Sequence, residues 1–115
     1  MTEDDYNRFV NRLFKRMGSP SADLMHAAVG ISGEAGEIID AIKKVWVYNK
    51  PLDDRVRVSL KEELGDLLFY VHVILFQYGW TLHEIRRSNV DKLMLRYPHG
   101  YSDEAARDRA DKEPE

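Results

Sequence analysis

The chain has 115 residues, of which 43% are hydrophobic and 32% charged, with a net charge of −3 and no cysteine. This fits one folded globular domain and excludes a wholly disordered chain, a disulfide or cysteine-ligated zinc scaffold, and a broad basic surface for nucleic acid. The acidic opening "MTEDDYNRF" is not a signal peptide and no apolar run reaches the ~18 residues of a membrane span, so a cytoplasmic protein without membrane or nucleic-acid partners is expected.

Residues 4 to 17 place Tyr6, Phe9, Val10, Leu13, Phe14 and Met17 at the three-and-four spacing of an amphipathic helix, which "GSPS" breaks. A second helix is expected from about Ala22 to Tyr48, capped by Ser19 or Ser21 and ended by "NKPLDD". A third covers about Asp54 to Tyr78. From Leu64 to Phe76 only Gly65, Asp66 and His72 interrupt its apolar and aromatic residues, so it needs enclosure on several sides. His72 reads as a packed core histidine. Thr81 and Glu84 form a capping-box pattern that opens a fourth helix, stopped near Arg96 by "RYPHG". The expectation is an all-α domain over residues 1–101, a bundle of about four helices completed by dimerisation or a dimer of dimers. A charged, solvated tail follows over 102–115.

The stretch "GISGEAGEIIDAIKK" is spaced like a helix, yet it carries three glycines, each costing a helix interior roughly 1 kcal/mol against alanine. With Glu34 at the origin of a helical wheel, Ala27 and Val45 fall near 20°, Ile38 near 40°, Ile31 near 60° and Ala41 near 340°. Glu34 therefore lies within the apolar arc, and Glu37 at its edge. Glu63 and Asp66 repeat the three-residue spacing on the third helix. A solvated face would place these carboxylates opposite the isoleucines, so something positive must compensate them. Two readings stay open: structural pairing with Lys43, Lys44 or Lys61, or a hard divalent cation such as Mg²⁺, which takes oxygen ligands and retains waters. On either reading Gly33 and Gly36 give up helix propensity so that backbone or a ligand can approach.

On the fourth helix, Asn89 lies on the stripe of Leu82, Ile85 and Leu93, with Lys92 and Arg96 nearby on the wheel. These can meet phosphate oxygens, or they are a polar flank whose long stems cover the core. Lys44 is a further candidate for substrate contact. Trp46 is a candidate for stacking on a base, or it is a core or interface aromatic. No glycine-rich phosphate loop is present.

Together "GEAGEIIDAIKK", "EELGDLLFYV" and "NVDKLMLRYPHGY" resemble the MazG-like nucleotide pyrophosphohydrolases of the all-α nucleoside triphosphate pyrophosphatase superfamily, over about residues 24 to 101. The resemblance implies a helical bundle completed as a homodimer or homotetramer, with Mg²⁺ (Mn²⁺ able to substitute) held by Glu34, Glu37, Glu63 and Asp66. The implied reaction is hydrolysis of a nucleoside triphosphate to the monophosphate and pyrophosphate, in nucleotide-pool housekeeping. Asn89, Lys92 and Arg96 match substrate-contacting positions, with Tyr97 nearby. Many members open the first motif with a glutamate doublet, where this chain has Gly33 before Glu34. The chemistry needs neutralised phosphates and an activated water, with Glu34 or Glu37 as general base. Competing readings are a pyrophosphohydrolase for phosphoribosyl-ATP or one deoxynucleotide, and a catalytically silent helical module that dimerises or binds a partner.

Overall fold

A computed structural model describes residues 1–112; the last three residues of the expected tail lie outside the described ones. Among the described residues there are five helices and no strand: α1 (Glu3–Leu13), α2 (Pro20–Val47), α3 (Asp54–Tyr78), α4 (Leu82–Arg96) and α5 (Asp103–Asp108). None is long and apolar enough to cross a membrane. The chain divides into two compact units, Met1–Gly79 and Trp80 onward.

Local chemistry sets the ends of each helix in the first unit. The Thr2 hydroxyl accepts from Asp5 N while Asp5 accepts from Thr2 N, a reciprocal cap that opens α1. Ser19 accepts from Ala22 N with Pro20 in the first turn of α2. Asp53 Oδ1 accepts from Arg55 N and Val56 N to open α3, and Gly79, at φ 68°, closes it in the left-handed conformation.

The first helix stops four residues before the expected Met17. Helix α2 supplies the partners that a further turn would have supplied: the Asp23 carboxylate accepts from Met17 N at 2.6 Å, and the His26 ring meets Lys15 O at 3.0 Å. Tertiary hydrogen bonds thus override the apolar periodicity of residues 14–17. Asp23 is buried and also faces Arg16 at 3.5 Å.

Helices α2 and α3 form an antiparallel hairpin, with the Gln77 amide donating to Pro20 O at one end and Ala41 beside Ser59 at the other. Helix α1 packs on α3, and Val10, Phe14, Ala27 and Val73 form a small core flanked by Tyr6, Phe69, Tyr70 and Ile74. His72 is 2% exposed, as expected of a core histidine. Its Nδ1 donates to Asn7 Oδ1 at 2.6 Å, and Tyr6 packs edge-on at 4.7 Å. Of the three glycines in "GISGEAGEIIDAIKK", Gly30 is the one that packs closely. A Cβ there would overlap the Tyr70 ring, whereas nothing lies within 4 Å of one at Gly33 or Gly36.

In the second unit Thr81 accepts from Glu84 N to open α4. The stretch expected to be a solvated tail contains α5, capped by Ser102, and Asp111, whose side chain is covered completely by its pairing with Arg96 and its surroundings.

Candidate metal and nucleotide site

The three-residue spacing on each helix, combined with the antiparallel register, turns acidic side chains of α2 and α3 toward one another. One oxygen each from Glu34, Glu63 and Asp66 falls within 4.8 Å of the others. Glu34 and Glu63 are half-buried and Asp66 is exposed. Glu63 is pushed above the ordinary glutamate range, first by loss of hydration, then by a hydrogen bond with Glu34, then by the charges of Glu34, Glu37 and Asp66. Glu37 is exposed; its charge reaches Glu63, but its oxygens are not among the three that converge.

No lysine compensates this charge. Among the described residues neither Lys43, Lys44 nor Lys61 forms an ion pair with any of the four carboxylates. Three converging oxygen donors without nitrogen, sulfur or a basic partner suit a hard divalent cation that keeps waters in its remaining positions.

Beside the carboxylates lies an open hollow of about 520 Å³, walled by Tyr6 and Phe9 from α1 and by Phe69 and Tyr70 from α3, with Gly65 at its floor. Burial and the charge of Asp66 raise the affinity of the Tyr6 hydroxyl for its proton. The sequence marked Tyr6 and Phe9 only as core positions, and no local spacing could tie them to acidic groups that lie from 25 (Phe9 to Glu34) to 60 (Tyr6 to Asp66) residues along the chain.

The second unit carries Asn89, Lys92, Arg96 and Tyr97. Asn89 and Lys92 are exposed, and α4 buries no residue. Arg96 is held by Asp111, Nε to Oδ1 at 2.6 Å and Nη2 to Oδ2 at 3.1 Å, with its guanidinium over the Tyr97 ring. This fork holds the Asp111 carboxyl below the usual range and raises Arg96 further. Trp46 is 83% exposed. Lys44 is exposed and lines a second cleft, at the turn end of the hairpin.

The family model of the MazG nucleotide pyrophosphohydrolase domain matches residues 25–101, most of the chain. The chain belongs to that family. The MazG match takes in both acidic helices and runs through α4. The chain is also 33% identical over 79 residues to the Gene 37 protein of Mycobacterium phage L5, covering 67% of this chain and 68% of that protein. No solved structure is significantly similar to it. The MazG assignment and the acidic cluster support nucleotide pyrophosphohydrolysis in general terms.

Proposed function

We propose that this protein hydrolyses nucleoside triphosphates, ribo- or deoxyribo-, to the monophosphate and pyrophosphate with Mg²⁺ as its working cation, in cytoplasmic nucleotide-pool housekeeping. The observation that carries this reading is the convergence of Glu34, Glu63 and Asp66 oxygens within 4.8 Å, with no ion pair to a basic side chain among the described residues. When bound, Mg²⁺ supplies charge neutralisation at phosphate oxygens; Mn²⁺ can take its place.

The chain's own residues do the rest. Glu34, Glu63 and Asp66 would each present one carboxylate oxygen to the cation, whose charge would offset the mutual repulsion of the three. Glu37, one turn from Glu34 and outside the converging set, is free to accept the proton of the attacking water as general base. The oxygen of that water bonds to the α-phosphorus, the bond from it to the bridging oxygen breaks, and the electron pair departs on pyrophosphate. No covalent nucleophile is needed. The aromatic hollow of Tyr6, Phe9, Phe69 and Tyr70 takes the nucleoside by stacking and burial.

Asn89, Lys92 and Arg96 are substrate contacts on their placement in α4 and on the resemblance, Tyr97 on the resemblance, and Trp46 as an aromatic able to stack on a base; Arg96 meets a phosphate only by exchanging Asp111 for it. A second copy of the chain covers the apolar side chains that the single chain exposes on the acidic helices, Ile39 and Ile42 on α2 and Leu64, Leu68 and Phe76 on α3.

The test is pyrophosphate release from a broad nucleotide panel that includes phosphoribosyl-ATP, with and without Mg²⁺. Metal-dependent release that vanishes in Glu37→Gln and Asp66→Asn is expected. Folded, metal-loaded protein that releases none from any member of the panel would sink the reading.

A further inference from the structure

At the turn end of the α2–α3 hairpin lies a cleft of about 480 Å³, lined by Ala41, Lys44 and Ser59 of the two helices and by Lys50, Asp53 and Arg55 around the turn. Its three cations have no carboxylate partner among the described residues. The one acidic residue there, Asp53, already accepts from Arg55 N and Val56 N. Three cations against the single Asp53 carboxylate leave this concave surface, which also offers the Ser59 hydroxyl, net positive, and an anion in the space relieves the repulsion among them. Guanidinium, ammonium and hydroxyl donors together are the usual phosphate-binding set.

Position shows which phosphate. Ala41 follows Glu37 by four residues and Ser59 precedes Glu63 by four, so on both helices the cleft begins roughly 6 Å, about one turn, beyond the carboxylates. The aromatic hollow lies at the opposite end, where Phe69 and Tyr70 follow Asp66 along α3. Side chains on a helix lean toward its N-terminus, so Lys44 reaches back toward Glu37. Along the hairpin, therefore, the order is an aromatic wall, a cluster of acidic ligands and a basic cleft. A nucleoside triphosphate has the same order: base and sugar, the α-phosphate, then the β- and γ-phosphates.

We infer that the cleft of Lys44, Lys50, Arg55 and Ser59 holds the β- and γ-phosphates of the substrate and then the departing pyrophosphate. The inference rests on the hydrolytic reading above and narrows it. The enzyme selects triphosphates over diphosphates because a diphosphate leaves half the cleft's charge unmet. In the sequence Lys50 is part of the helix-ending "NKPLDD" stretch and Arg55 an ordinary first-turn residue; the folded turn brings them to Lys44, with Lys50 N donating to Lys44 O at 3.2 Å.

Calorimetric titration of inorganic pyrophosphate, with Mg²⁺ present, into the full chain and its Lys50→Ala/Arg55→Ala variant decides the point without turnover. Both residues are exposed, and circular dichroism checks that the variant is folded. Binding at least about tenfold weaker in the variant is expected, as loss of charge-assisted hydrogen bonds implies. Equal binding, or no binding to the unmodified protein, overturns the inference whatever the nucleotide panel shows. If turnover occurs, the variant should also lose most of the preference for triphosphate over diphosphate, and an unchanged preference overturns the inference as well. Absence of turnover with intact, variant-sensitive pyrophosphate binding leaves the anion cleft standing and removes only the hydrolytic reading.

Discussion

The two ends of the α2–α3 hairpin are built from the same pair of helices and follow different rules. At the end where α1 packs, Ala27, His72, Val73 and Leu75 are buried, Asp23 and His26 anchor the preceding turn, and Gly30 admits the Tyr70 ring. Toward the turn only Ala41 is buried, and the residues that matter are acidic, then basic, and mostly exposed. The lesson is a division of labour along one element. Close packing at one end holds the register, and the other end uses that register to converge charges that would repel in an unbraced pair of helices.

Four experiments sharpen or break this division, in falling order of effect. Asp66→Asn should lower turnover by about 10²–10³-fold, the range for loss of an electrostatic contact to the transition state, while leaving the melting temperature of metal-free protein unchanged or raised. A fall in both together would mean that Asp66 is structural. Next, Mg²⁺ should stabilise the native chain by about 2.7 kcal/mol at a hundred times its dissociation constant, and should do so much less in Asp66→Asn, as read by urea denaturation. Equal stabilisation of the two would place the cation elsewhere.

Glycine replacements come third. Gly30→Ala must displace the Tyr70 ring and should cost about 1–3 kcal/mol of overpacking, only partly offset by roughly 1 kcal/mol of helix propensity. Gly33→Ala and Gly36→Ala meet nothing within 4 Å and should each stabilise the single chain by up to about 1 kcal/mol. If all three behave alike, the contrast between the ends fails.

The smallest effect is a pH dependence at the packed end. Burial lowers the His72 pKa from the ordinary 6.5, opposed by the charge of Glu3, so the folded state prefers the neutral ring that donates to Asn7. The unfolded chain takes up the proton first. Stability is therefore complete above about pH 6.5 and declines as pH falls from there toward the lowered folded value. Stability measured against pH in His72→Gln should be flatter across that window. An identical slope would remove His72 as the cause.

Much of this was legible in the sequence, for physical reasons that also mark where legibility ended. The third helix was expected over Asp54 to Tyr78 and is found there, because Asp53 and Gly79 are strong local caps at its two ends. Helical periodicity places Glu34 on the inner face of α2 and pairs Glu63 with Asp66 on α3, and the antiparallel register of the two helices brings the three together. Glu37 has the same spacing credentials, but its position at the edge of the apolar arc leaves it outside the converging set. The early stop of α1 depends on Asp23 and His26, contacts that no local window contains. The close-packed glycine is Gly30 rather than Gly33 or Gly36, since only the register with Tyr70 distinguishes them. Helix α5 and the Arg96–Asp111 fork were invisible because each looks like ordinary charged sequence until the chain folds back.

The aromatic hollow and the acidic cluster differ in the stretch of chain each requires. Glu34, Glu63 and Asp66 sit on two helices joined by a short turn, whereas the hollow exists only when α1 docks through contacts such as Asn7 to His72, 65 residues apart. The convergence of carboxylates is thus a near-neighbour property of the hairpin, and the aromatic hollow a long-range one. Mild conditions that undock α1 first would leave the three carboxylates facing one another with half of the aromatic wall gone.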